Sequence, residues 1–162
     1  MQTEKQLDRL DRAILGELQG DGRLSNVELA RRINLSPTPC AERVKSLEKA
    51  GFIKAYTAVL EPKLLHAALL VFVEISLSRN SPGVFAEFKR EVVKLPEVLE
   101  CHLVAGNFDY LIKSRVADMS AYRKLLGETL LTLPGVVDSR TYVVMEELKE
   151  SQVLPIPKPN YS

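Results

Sequence analysis

The sequence predicts an α+β chain built from two small domains, and three observations carry that prediction. Residues 1–60 hold three apolar runs at helical spacing in quick succession. From Leu69 the spacing changes to alternation, as strands require. Finally, Leu95-Pro96-Glu97-Val98 recurs as Leu133-Pro134-Gly135-Val136, so the second half writes strand–helix–strand twice. The chain divides at Pro62, giving one domain over 1–60 and another over 61–150. A tail over 151–162, with Pro155, Pro157 and Pro159, is expected to be flexible.

In the first helix Leu7, Leu10, Ile14, Leu15 and Leu18 share a face, and Gly20 and Gly22 end the run. Ser25-Asn26-Val27-Glu28 reads as a capping box. The serine hydroxyl accepts from the Glu28 N–H and the glutamate reaches back. The short helix it starts is expected to bury Val27, Leu29, Ala30 and Ile33. After Asn34-Leu35-Ser36 comes a third helix, with Ser36 as cap and Pro37 in first position, where its missing N–H costs nothing. Cys40, Val44 and Leu47 line its inner face, and Ala50-Gly51 stops it before the next strand.

A short helix, a tight turn and a longer helix make a helix-turn-helix, whose second helix enters a DNA major groove. The net charge of +1 argues against nucleic acid only when averaged over the whole chain. Within 31–54, Arg31, Arg32, Arg43, Lys45, Lys49 and Lys54 face only Glu42 and Glu48, a local excess suited to a polyanion. The third helix turns Thr38, Pro39, Glu42, Arg43, Ser46 and Lys49 outward. The expected DNA-binding set is therefore Ser36, Thr38, Pro39, Arg43, Ser46 and Lys49, with Arg31 and Arg32. Arg43 can reach a base or a phosphate. A plain three-helix bundle with an incidentally basic face is the alternative.

In the second half LLVFVEISL is a strand, and Pro82 opens a helix that buries Val84, Phe85, Phe88 and Val92. ECHLVAG and DYLIKSRV are strands joined through Gly106-Asn107-Phe108. A helix from Met119 to about Leu131 follows, and SRTYVVM is the last strand. The order is that of a ferredoxin-like βαββαβ sandwich with both helices on one sheet face. By parity Val71, Val73, Ile75, Ile112 and Val116 face the helices. Leu70, Phe72, Val104 and Leu111 lie opposite, among Glu74, Lys113 and Arg115. So apolar an open face predicts a two-fold dimer.

Hydrophobic residues at 46% and charged residues at 27% describe a soluble globular chain, and no apolar run is long enough to span a membrane. The charged N-terminus lacks a signal peptide's apolar core, and Cys40 and Cys101 form no metal or disulfide framework, so a cytoplasmic location is expected. No phosphate loop, nucleophile elbow or metal-spaced histidine pair is present, so no catalytic residue, metal or cofactor is expected. Cys101 and His102 are strand neighbours on opposite faces and cannot form a dyad. Glu146, Glu147 and Glu150 read as a solvated cluster.

The ligand loop is expected at Val104-Ala105-Gly106-Asn107-Phe108-Asp109-Tyr110. Gly106 allows positive φ and backbone approach to a carboxylate, and Asp109 can accept from an ammonium group. Together these would detect an amino-acid zwitterion. A strand turn with Asp109 capping local backbone is the alternative.

Residues 7–53, ending in LSPTPCAERVKSLEKAGFI, resemble the DNA-binding half of the Lrp/AsnC family of bacterial regulators. ECHLVAGNFDYLIKSRV and MSAYRKLLGETLLTLPGVVDSRTYVVMEE resemble its effector half, with G-x-x-D-Y as the effector-loop signature. The resemblance covers roughly 7–149. It implies a transcription regulator of double-stranded DNA whose dimers assemble further, often to octamers, and sense amino acids between dimers. It also implies effector contacts from Leu103, Val104, Ala105, Gly106, Asn107, Asp109 and Tyr110, with Asp138, Ser139 and Thr141 coming from near a neighbouring subunit. Ala105 and Asn107 stand where a close member has serine and aspartate, which bears on effector identity. The rival readings are a ligand-independent architectural module and a small metabolic enzyme.

Overall fold

The structure, a computed structural model, describes residues 6–78 and 83–156. The chain forms two units: the described residues up to Val59 together with 150–156, and Leu60–Lys149.

The first unit holds α1 (Arg9–Gly20), α2 (Asn26–Arg32) and α3 (Pro37–Lys49). Asp8 caps α1 by accepting the Asp11 N–H at 2.8 Å. Ser25 caps α2 by accepting the Glu28 N–H at 3.2 Å. Glu28 does not complete the expected box, because its carboxylate is held by Arg31 at 2.7 Å and Arg32 at 3.0 Å. Charged partners outcompete a backbone N–H. Asn34 at φ 55 makes the left-handed bend between α2 and α3. Ser36 stands at the α3 cap, but its side chain makes no capping bond. Asn26 instead links the two helices, donating from Nδ2 to the Pro37 carbonyl at 2.7 Å.

Ile14, Leu29, Ala30, Ile33, Cys40 and Leu47 form the core of this unit, with Leu7, Leu15, Leu18 and Val44 against it. Val27, expected inside, is 65% exposed. At 100° per residue it lies more than a quarter turn from the face that Leu29, Ala30 and Ile33 share. Beyond α3, residues 54–60 form no strand among the described residues. The segment 151–156, expected to be flexible, is tied to α1. Gln19 donates to the Leu154 carbonyl at 3.1 Å and accepts the Leu154 N–H at 2.7 Å, and Ile156 lies against Gly16. Pro157 and Pro159 fall outside the described residues.

The second unit is a four-stranded antiparallel sheet in the order β2-β3-β1-β4, with β1 (Leu69–Leu77), β2 (Val98–Leu103), β3 (Tyr110–Val116) and β4 (Val136–Val143). With α4 (Val84–Val92) and α5 (Met119–Glu128) between the strands, this is the ferredoxin-like order. Pro82 lies outside the described residues. The last strand starts at Val136 rather than Ser139, because pairing with β1 runs from Leu77↔Val136 to Val71↔Val143. Met145, expected in that strand, is 95% exposed. The last helix stops at Glu128, and Leu130–Thr132 is a separate 3₁₀ turn.

Val71, Val73, Ile75, Ile112 and Val116 are buried with Phe88, Val92, Tyr122, Leu125, Leu130 and Leu133, as parity required. Burying one such side chain contributes roughly 1.5–3 kcal/mol. Two polar residues are buried with partners. Ser114 donates to the Glu97 carbonyl at 2.6 Å, and Arg115 pairs with Glu147, which is therefore not simply solvated. On the open face the Tyr142 hydroxyl donates to Glu74 at 2.9 Å, and Lys113 and His102 each lie 3.0 Å from Glu100.

Candidate nucleic-acid interface and effector pocket

In the first unit, α3 presents Ser36, Thr38, Glu42, Ser46 and Lys49 to solvent, with Pro39 half-buried in its first turn. Cys40 and Leu47 are fully buried beneath them, which fixes the face that α3 shows. Burial pushes the Cys40 thiol up, so it is not a thiolate nucleophile. Lys45, Lys49 and Lys54 are in no ion pair among the described residues.

The three arginines are engaged. Arg31 holds Glu28, and Arg32 holds both Glu28 and, at 3.0 Å, Glu17. Hydrogen bonds from Arg31 and then Arg32 bring the Glu28 carboxyl down to about 2. Arg43 Nη1 lies 2.6 Å from Asp8 and 2.9 Å from Asp11. Local patterns could not show these last contacts, whose partners lie 35 and 32 residues away.

In the second unit a cavity of about 60 Å³ is lined by Glu74, Ser76, Asn107, Phe108, Asp138, Ser139 and Arg140. It forms because β1 lies between β3 and β4, with Ser76 opposite Asp138, Glu74 opposite Arg140 and Ile75 opposite Tyr110. The β2–β3 loop thus comes down beside the start of β4 within one chain. Asn107, Asp138 and Ser139, three of the expected effector residues, meet here within one chain, where the resemblance had brought the last two from near a neighbouring subunit. Phe108 lies within the expected ligand loop, whereas Glu74, Ser76 and Arg140 were not anticipated; the one signal for them was an acid interrupting the apolar run of β1. Two carboxylates and one guanidinium around a small cavity suit a molecule that carries both charges.

The other expected effector residues do not line this cavity. Asp109 accepts the Leu77 N–H at 2.7 Å, a backbone role across strands. The Val104 N–H donates to the Asp109 carbonyl at 3.0 Å, and the Asp109 N–H to the Ile75 carbonyl at 3.0 Å. Gly106 does not adopt positive φ, since the turn closes through these bonds instead. Ala105 and Gly106 are exposed, and Leu103 is exposed on the last residue of β2. Tyr110 is a core residue whose ring centroid lies 4.5 Å from that of Phe88 in a tilted pair, and its buried hydroxyl has no hydrogen-bond partner among the described residues. Thr141 bonds the Tyr122 hydroxyl on the helix-covered face.

The two units match two family models: residues 7–54 a winged helix-turn-helix DNA-binding domain, and residues 70–154 the Lrp/AsnC ligand binding domain. The chain is 67% identical over 152 residues to the leucine-responsive regulatory proteins of Escherichia coli K12 and Salmonella typhimurium LT2, covering 94% of this chain and 93% of each relative. Among solved structures it is similar to a transcriptional regulator from Neisseria meningitidis in complex with L-Met, at TM-score 0.89 and 40% identity over 93% of this chain and 97% of that one. It also resembles AsnC of E. coli, at TM-score 0.85 and 26% identity over 93% of this chain and 100% of that one. A helix-turn-helix unit joined to a four-stranded ligand-binding unit, matched along nearly its whole length, places this chain in the Lrp/AsnC family of DNA-binding transcriptional regulators.

Proposed function

We propose that the chain is a non-catalytic cytoplasmic regulator that reads double-stranded DNA with α3 and responds to leucine or a similar amino acid held in the second unit. Ser36, Thr38 and Pro39 approach base edges, while Ser46, Lys49, Arg31 and Arg32 hold the phosphate backbone. Arg31 and Arg32 are 74% and 41% exposed in their side chains, so both can exchange a glutamate for a phosphate.

The observation that carries the effector reading is the convergence of Asn107, Asp138, Ser139, Arg140 and Glu74 on one cavity. Arg140 takes the ligand's carboxylate and Asp138 or Glu74 its ammonium group. The cavity is small, about 60 Å³, and lined almost wholly by polar and charged side chains, so it suits those polar ends. The ligand's side chain therefore needs a wall from another copy. That agrees with sensing between dimers and with assembly beyond the dimer, to an octamer. The half-exposed sheet face around Phe72, Leu111 and Tyr142 supports the dimer itself. A relative bound to L-Met supports the ligand class.

Calorimetry of the full chain against the twenty amino acids tests this. One apolar amino acid should bind, and Arg140→Ala should abolish the heat. No heat from any of them in the unaltered chain would refute it.

A further inference from the structure

Arg43 lies on the helix assigned above to DNA, yet its guanidinium turns toward α1. Its Nη1 bonds Asp8 Oδ2 at 2.6 Å and Asp11 Oδ1 at 2.9 Å. Asp8 uses its other oxygen, Oδ1, to cap α1 through the Asp11 N–H at 2.8 Å. These three bonds close a ring that joins the start of α1 to the middle of α3. Asp11 is the unusual member, with a side chain only 3% exposed, against 51% for Asp8 and 32% for Arg43. A carboxylate at that depth needs a fixed cation, since an unpaired buried charge is strongly unfavourable. If Arg43 swung out to a phosphate, Asp11 would lose this cation. Arg31 and Arg32 differ, because their partners Glu28 and Glu17 are about a third exposed.

The ring constrains rotation of α3 about its own axis. Side-chain tips lie about 5–6 Å from a helix axis, so a turn of 20° displaces Thr38 by about 2 Å. That displacement is enough to break a hydrogen bond to a base edge. Cys40 and Leu47 set the buried face of α3, but apolar contacts are non-directional and tolerate small rotations. Hydrogen bonds to two carboxylates do not.

We propose that Asp8, Asp11 and Arg43 are positioning residues for DNA recognition: the clasp sets the rotation of α3 so that Ser36, Thr38 and Pro39 meet base edges, and Arg43 neutralises no phosphate. This rests on the reading of α3 as the DNA-reading helix. It reassigns Arg43 from reader to strut.

The test uses the full-length chain, a duplex selected by that chain from random-sequence DNA, and a scrambled duplex of equal length. Affinity for each is measured from about 50 to 200 mM salt, where each phosphate contact contributes about 0.9 to the log–log slope. Asp11→Asn and Asp8→Asn keep shape and, at Asp8, a competent cap. Each should lower affinity for the selected duplex about ten-fold, as losing one base contact does, with little change on the scrambled duplex. Arg43→Gln should do the same, and every slope should match the unaltered chain. The ratio between duplexes is the decisive reading, because partial unfolding lowers both affinities alike.

If Arg43→Gln does not fold, the double variant Asp11→Asn, Arg43→Gln removes both charges. It should show the loss of Asp11→Asn alone and the same slope. A slope shallower by about 0.9 in either Arg43 variant makes Arg43 a phosphate contact and overturns the proposal. An unchanged duplex ratio in Asp11→Asn overturns it too. A flat salt response in the unaltered chain would refute the DNA reading of α3 itself, and the clasp with it.

Discussion

Gly135→Ala is expected to destabilise the second unit severely, and the structure gives the reason in two parts. Gly135 sits at φ +76, and a Cβ built there would lie 2.0 Å from Val84 Cγ2 on α4. The left-handed conformation costs a residue with Cβ about 1–2 kcal/mol. Forcing a methyl into a packed site costs about 1–3 kcal/mol more. The sum is roughly 2–5 kcal/mol; at about 4–8 °C of Tm per kcal/mol for a domain of this size, the melting point falls by about 8–40 °C. The bend also starts β4, where Asp138, Ser139 and Arg140 line the cavity, and the Gly135 carbonyl accepts the Ser78 N–H at 2.7 Å. Thermal unfolding followed by circular dichroism reads the loss. Adding Val84→Ala removes the collision but not the backbone strain, so the double variant should lose less than the sum of the two singles. A Tm within about 2 °C of the unaltered chain, or strict additivity, would refute the argument.

Three further outcomes follow from individual contacts. Tyr110→Phe removes a buried hydroxyl without a partner among the described residues, whose desolvation costs about 1–3 kcal/mol, so stability should hold or rise and amino-acid binding persist. Loss of binding at unchanged Tm would instead make that hydroxyl a ligand group. Glu28 has its pKa lowered from 4.5 to about 2, so its contribution to stability is present above 4.5 and disappears as pH falls toward 2. Urea unfolding across that window should show a shallower acid loss in Glu28→Gln, and identical pH slopes would contradict the pairing. Gln19→Ala should free the Leu154 amide, which it now holds at 2.7 Å, to exchange at an unprotected rate; retained protection would show that something else anchors the tail.

The sequence showed what depends on local period and left hidden what depends on register. The repeat of Leu-Pro-x-Val is legible because it marks the same event twice: Val98 opens β2 and Val136 opens β4. The helix cap at Ser25 and the break at Asn34-Leu35-Ser36 are local and were readable. The Glu28 box failed through competition, since Arg31 and Arg32 on the next turn offer stronger partners. Asp109 was expected to accept from an ammonium group, with capping of local backbone as the alternative. The bond it accepts comes from the Leu77 N–H, 32 residues away, at the point where β1 slips register against β4. Glu74 and Arg140 join the cavity for the same reason, as cross-strand partners that no spacing rule connects. The tail composition likewise gave no sign of the two bonds from Gln19.

In the proposed function, an amino acid held beside Asn107, Asp138 and Arg140 changes how the chain binds DNA. The direct measurement is affinity of the full chain for its selected duplex with and without each of the twenty amino acids, repeated in Arg140→Ala. One apolar amino acid should shift affinity by about 5–150-fold, the range of ordinary coupling free energies, and Arg140→Ala should erase the shift while keeping DNA affinity. An affinity indifferent to all twenty, or a shift that survives Arg140→Ala intact, would contradict it.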